Sequence, residues 1–318
     1  VCHEICRATG LGITLTQTAV PLRPAVQSVC EMLGYDPLYL AGEGRHERLY
    51  ERLGAHPVDG GVRFAVWAPN ARAVSVAGDW NYWSEGSDPL APVGSSGIWE
   101  GVVAGASEGA RYKLAVAGSD GITRLKADPY AVYAEVPPAN GSVVFRSRYR
   151  WRDEEWLERR RRADPLASPL SAYEVHPGSW RQGLSWRGLA AELVPYVVEL
   201  GFTHVELMPV MQHPYPPSWG YQVTGYYAPQ STFGDPDDFR FLVDELHRHG
   251  IGVLLDWVPA HFPRDEWALA RFDGTALYEH EDPRKGAHPD WGTLIFNFSR
   301  HEVRNFLLAN ALFWLREY

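Results

Sequence analysis

The sequence predicts a multidomain chain in which a β-sandwich precedes an α/β unit of parallel strands and covering helices. Two observations carry that prediction. Short runs with apolar residues at every second position recur between residues 58 and 146, which is the period of a half-buried strand. From Leu170 the pattern changes to short apolar runs alternating with helical stripes, the mark of a parallel sheet with helices on its faces. A basic, polar helical stretch from Asp153 to Arg162 lies between the two regions and reads as a linker.

Within the sandwich, Gly61-Val62-Arg63-Phe64-Ala65-Val66-Trp67 alternates most cleanly, and similar runs follow at Ala73–Val76, Ile98–Val103, Tyr112–Val116 and Ser142–Phe145. Turn clusters of Gly, Asn, Pro and Ser separate them. In the second region Ser171 to His176 reads as a strand, and Trp186 to Leu200 as a helix with Leu189, Leu193, Val197 and Leu200 on one face. Thr203 to Met208 is the next strand. Asp235 then serves as N-cap with Pro236 at the first helical position, and Phe239, Leu242, Val243 and Leu246 form the apolar stripe of that helix. Gly250 ends it, Ile251 to Asp256 is a third strand, and Arg300 to Tyr318 a last helix with Val303, Phe306, Leu307, Asn310 and Trp314 along one side. Either a doubly wound sheet or a (β/α)8 barrel fits this alternation. A barrel takes ~250 residues and eight strands, so on the barrel reading only its first part is present.

Composition narrows the function classes. The 318 residues suit two or three domains at ~100–200 residues each. A net charge of −9 argues against a nucleic-acid partner. No run approaches the ~18 apolar residues of a membrane span, so no membrane partner is expected. The N-terminus has no basic segment followed by an apolar run, and it begins at Val1, which suggests an incomplete start; a cytoplasmic location follows. Cys2, Cys6 and Cys30 have no ligand partners at zinc spacing. They read as reduced thiols, and neither a metal site nor a cofactor is expected. The excess lies in 13 Trp and 16 Tyr. Such residues pack cores by default, and they also stack on the apolar C–H face of a pyranose ring.

Barrel enzymes keep their chemistry at the C-terminal ends of strands. The third strand ends in Asp256-Trp257-Val258-Pro259-Ala260-His261, a carboxylate at the tip and an imidazole five residues on. After the second strand comes a long loop, Pro209 to Pro229, holding Trp219-Gly220-Tyr221 and Tyr226-Tyr227. A loop of that length in a compact domain is more often functional than idle. Taken alone, Asp256 reads as a helix cap and His261 as a satisfied loop histidine. Together at consecutive strand ends they point to a hydroxyl-binding site with an aromatic platform.

These residues carry a specific resemblance. Asp256 to His261 resembles the first conserved region of the α-amylase superfamily, glycoside hydrolase family 13. The runs Glu206 to Val210, Ser218-Trp219-Gly220-Tyr221-Gln222, Thr224 to Pro229, Leu277 to His280 and Trp291 to Asn297 resemble bacterial 1,4-α-glucan branching enzymes more closely than amylases. Phe64 to Ala71 and Gly78-Asp79-Trp80-Asn81 resemble the family 48 carbohydrate-binding module that precedes that barrel. The resemblance runs from residue 47 to 318. It implies an immunoglobulin-like β-sandwich over 46–150, a linker helix over 151–169, and the N-terminal part of a (β/α)8 TIM barrel over 170–318.

The resemblance also implies roles. Tyr221 would stack on the sugar in the −1 subsite, Asp256 would support it by hydrogen bonds, and His261 would donate to its 6-hydroxyl. Trp219, Trp80 and Trp83 would be further substrate-binding residues, with core packing an equal alternative for the last two. The implied chemistry is a retaining double displacement that cleaves α-1,4 and forms α-1,6 linkages in glycogen biosynthesis, with α-1,4-glucan (glycogen, amylose) as partner. The nucleophile, on a fourth strand, and the acid/base lie beyond Tyr318. The 318 residues are accordingly expected to be inactive, and neither Glu174 nor Asp265 is promoted to fill those roles. The Pro216-Pro217 pair departs from the family's Asp-Gly before Ser-Trp-Gly-Tyr. A non-catalytic glucan-binding fragment and a trehalose-releasing or debranching hydrolase are the alternatives. Residues 1–45 resemble part of the C-terminal domain of a hydrogenase maturation protein, a thiocarbamate dehydratase, which implies a foreign-looking α/β segment.

Overall fold

The computed structural model describes residues 43–318. The reading of residues 1–45, its three cysteines included, lies outside the described residues but for the last three.

The sandwich forms from two antiparallel sheets. Strands β1 (Gly54–Val58), β2 (Gly61–Trp67), β4 (Ala91–Pro92) and β5 (Ile98–Val103) make one, in the order β1-β2-β5-β4. The other holds β3 (Ala73–Gly78), β6 (Arg111–Ala117) and β7 (Thr123–Lys126), with β8 (Ser142–Val143) added on β6. Alternate residues of the strands meet in the core. Val62, Phe64 and Val66 of β2 are fully buried, as are Val74 and Val76 of β3 and Tyr112, Leu114 and Val116 of β6. Phe64 and Tyr112 meet edge to face at 4.9 Å. β1 and β7 lay outside the sequence expectation. β1 carries Pro57, and β7 reads Thr-Arg-Leu-Lys, so neither shows an apolar alternation.

Helix α1 (Glu154–Arg162) buries none of its residues, and its last turn carries Arg159, Arg160, Arg161 and Arg162, where cations complement the helix dipole. It is fixed at its start, where the His247 imidazole and Asp153 lie 2.8 Å apart and Trp156 stacks on the same ring at 5.1 Å.

The parallel sheet follows. β9 (Ala172–Val175), β10 (His204–Leu207) and β13 (Gly252–Leu255) run in the order β13-β10-β9, all parallel. After β9 come the short α2 (Pro177–Trp180) and α3 (Trp186–Glu199), capped by Ser185 accepting from the Gly188 N–H at 3.1 Å. Strands β11 (Met211–Gln212) and β12 (Gly225–Pro229) pair antiparallel inside what the sequence presents as one long loop. α4 (Pro236–Arg248) starts at Asp235, which accepts from the Asp238 N–H at 2.9 Å. β14 (His261–Phe262), α5 (Pro283–Gly286), β15 (Ala287–His288) and β16 (Thr293–Ile295) form an excursion after β13, with the sheet order β14-β16-β15. α6 (His301–Glu317) ends the chain.

Leu189, Leu193 and Val197 of α3 and Phe239, Leu242, Val243 and Leu246 of α4 are buried, as their spacing predicts. Leu200 is not. α3 ends at Glu199, and Leu200 turns out to solvent as its C-cap. Val175, Val205 and Leu207 face the helices and are buried, while Glu174, in register with Glu206, which is in register with Leu254, points away from them on the other face.

Polar and aromatic contacts join the two regions. The buried Lys126 ammonium donates to the Ala270 carbonyl at 2.7 Å and to that of Glu266, and the Ala127 N–H donates to Trp267 at 2.7 Å. Burial lowers the Lys126 ammonium to about 8. Tyr130 stacks on Tyr227 at 4.9 Å, and the Asn70 amide donates to Asp273 at 2.9 Å.

Candidate functional site

Three parallel strands bring their C-terminal ends, Val175, Leu207 and Leu255, to one edge. Asp256 continues the third strand by donating its N–H to the Leu207 carbonyl at 2.9 Å. The Tyr221 hydroxyl then donates to the Asp256 carboxylate at 2.5 Å. Loss of that proton would set a phenolate beside a carboxylate. The accepting Asp256, partial burial and the negative charges of Glu174 and Glu206 therefore push the phenol up to about 12.

Local backbone geometry places Tyr221. Pro216–Ser218 form one 3₁₀ turn, Trp219 takes a left-handed conformation with φ 55°, and the Tyr221 N–H donates back to the Ser218 carbonyl at 3.0 Å. Gly220 follows at φ 91°, where a Cβ would lie 2.4 Å from the Pro209 carbonyl oxygen; only glycine fits there. The Pro216-Pro217 pair that departs from the family pattern thus starts the turn that presents Tyr221.

The Asp256–His261 segment is clamped from behind. The Trp257 indole N–H donates to the Asn310 side-chain oxygen at 2.8 Å, and the Asn310 amide donates to the Tyr226 carbonyl at 2.6 Å. Trp314 donates to that same carbonyl at 3.0 Å. The Tyr226 hydroxyl donates to the His261 carbonyl at 2.9 Å. α6 and β12 therefore hold both ends of the segment.

His261 is 8% exposed, and its Nδ1 is buried without a hydrogen-bond partner. Burial first, and His288 second, lower its pKa, which favours a neutral ring that can donate to or accept from a hydroxyl. Trp291 and His288 lie against it, with ring centroids 5.2 Å and 5.8 Å away.

The residues singled out from the sequence fall into three groups. Tyr221 and Asp256 meet directly, while His261 lies five residues on in the same segment, its backbone carbonyl held by the Tyr226 hydroxyl and its ring against His288 and Trp291. Trp219 is 57% exposed and lies 6.0 Å from the His176 ring at the end of β9. Trp80 and Trp83 lie on the sandwich. The Trp80 indole stacks on Phe64 at 5.8 Å and donates to Asp88 at 2.9 Å, so it packs the sandwich. Half-buried Trp83 donates its backbone N–H to the Gly78 carbonyl at 3.0 Å. Tyr226 and Tyr227, placed in the long loop by the sequence, are fully buried and offer no platform. Asn310, Trp291 and the Glu174–Glu206 pair were not assigned to the site. Asn310, in an otherwise apolar helical stripe, was the available signal for a buried polar clamp.

The combination is a β-sandwich followed by parallel strands with covering helices, and two family descriptions match these regions in that order. The family description Carbohydrate-binding module 48 (Isoamylase N-terminal domain) matches residues 52–131, and Alpha amylase, catalytic domain matches residues 178–282. The fold agrees. A Salmonella typhimurium structure assigned as an alpha amylase superposes with TM-score 0.68 at 28% identity, covering 84% of this chain and 42% of its own. A Paenibacillus barengoltzii pullulanase gives TM-score 0.67 at 23% identity, covering 86% and 48%, which shows the fold alone.

More particularly, the chain resembles bacterial 1,4-alpha-glucan branching enzymes. It is 60% identical over 290 residues to that of Kitasatospora aureofaciens, covering 90% of this chain and 38% of the relative. It is likewise 60% identical over 294 residues to that of Thermobifida fusca, covering 90% and 39%. The chain thus spans under half the length of the curated relatives it matches. No helix among the described residues is long and apolar enough to cross a membrane.

Proposed function

We propose that this chain is the glucan-holding portion of a 1,4-α-glucan branching enzyme. Tyr221 presents its ring to the sugar held at the strand ends, Asp256 accepts from the sugar's hydroxyls, and His261 bonds the 6-hydroxyl. Trp219, exposed beside His176, adds an aromatic contact. The ligand is an α-1,4-glucan of the glycogen or amylose kind, encountered in the cytoplasm. The reaction served is a retaining double displacement that cleaves an α-1,4 bond and forms an α-1,6 bond. None of the three residues acts as nucleophile or acid/base; they hold and orient the ring, which lowers the entropic part of the barrel's task.

The observation that carries this reading is the Tyr221–Asp256 hydrogen bond at the ends of adjacent barrel strands. It fixes the phenol ring and leaves the second carboxylate oxygen available. Two assays of the 318-residue chain test it: calorimetric titration with maltoheptaose, and iodine staining of amylose. Saturable binding without loss of iodine colour is expected. Absence of binding would overturn the glucan reading, and loss of colour would overturn the assignment of no catalytic group to the chain.

A further inference from the structure

Trp291 sits in the turn between β15 and β16 and is 61% exposed. An indole left that open forgoes the gain of burying a large apolar ring. The turn is nevertheless firmly held. The Gly292 N–H donates to the His288 carbonyl at 2.9 Å, and the Arg264 guanidinium donates to the Gly292 carbonyl at 3.0 Å. β14 and β15 both pair with β16, and this carries His261 and His288 to the same side of the small sheet. The indole leans on both rings, 5.2 Å from His261 and 4.7 Å from His288, with tilts of 46° and 43°. One side of the indole is thereby backed, and most of the remainder is open.

We propose that Trp291, backed by His261 and His288, is a stacking platform for a second glucose unit of the bound α-glucan. The proposal rests on the reading that Tyr221, Asp256 and His261 hold the first unit. Three features select a sugar. The open surface is a flat aromatic ring, suited to the C–H face of a pyranose. The backing imidazole of His261 is buried, so the surface left for the ligand at this point is the indole's. The turn is fixed beforehand, so stacking immobilises little of the protein. His261 is shared between the two units, which makes them consecutive.

The test titrates the full chain with maltotriose and compares Trp291→Ala and Trp291→Phe with the parent, following aromatic-proton saturation transfer to the sugar. Trp291→Ala should bind about tenfold more weakly, the scale of one lost aromatic contact, and saturation should shrink from two consecutive glucose units to one. Trp291→Phe keeps a ring and should retain most of the affinity, which separates stacking from a folding defect. Equal affinity and two saturated units in the parent and both variants would overturn the platform while leaving the Tyr221 site standing. Failure of the parent to bind maltotriose would instead overturn the reading on which the platform rests.

Discussion

The sandwich and the parallel unit use strands in opposite ways. In the sandwich, two sheets turn their apolar faces toward each other, so Phe64, Tyr112 and Val76 are enclosed on every side. In the parallel unit, helices cover one face of β9, β10 and β13, and the other carries Glu174, Glu206 and a 39%-exposed Leu254. Enclosed packing and exposed strand ends are thus divided between the two regions. The closed region supplies a rigid base, whereas the half-covered sheet leaves its strand ends, and with them Tyr221 and Asp256, partly exposed.

Substitutions can break that contrast. Phe64→Ala removes a ring from the closed core and should destabilise the chain by about 3–5 kcal/mol in urea unfolding. Asp128 comes next. It is fully buried and accepts from the Tyr112 hydroxyl at 2.7 Å and the Tyr130 N–H at 2.9 Å, yet burial dominates and raises its carboxyl to about 6. A raised acid binds its proton more tightly when folded than when unfolded. Its contribution is therefore fully present below pH ~4 and lost as pH rises through about 6, by up to roughly 3 kcal/mol. Asp128→Asn should flatten the unfolding midpoint between pH 4 and 7, and an unchanged slope would contradict the assignment.

Asn310→Leu strands the Trp257 N–H and leaves the Tyr226 carbonyl with Trp314 alone. A loss of about 2 kcal/mol is expected, together with weaker maltoheptaose binding because the Asp256–His261 segment loses its clamp. At the small end, Leu254→Ser on the uncovered face should shift stability by no more than about 0.5 kcal/mol. A loss near that of Phe64→Ala would show that this face is enclosed after all.

Much of the fold was legible because periodicity reports burial directly. β2, β6, α3, α4 and α6 each carry an apolar stripe, and their observed spans follow it. β11, β12 and β14 to β16 were not legible. Each is two to five residues long, too short for a period to register, and β14 is paired with β16 some thirty residues further on. At the site, Tyr221, Asp256, His261 and Trp219 were marked by motif and by position at strand ends. Trp291 was quoted only as part of a resembling run, since nothing local distinguishes an open indole from a buried one. Asn310 was read as one more member of a helical stripe, and its clamping role depends on Trp257 and Tyr226, 53 and 84 residues away.

The central claim is that the strand ends of the parallel unit, rather than the sandwich, hold the glucan. Hydrogen–deuterium exchange of the 318-residue chain with and without saturating maltoheptaose tests it most directly. Protection is predicted in residues 218–222 and 256–261, with segment 79–84 unchanged. Protection confined to 79–84 would place the glucan on the sandwich and contradict the account.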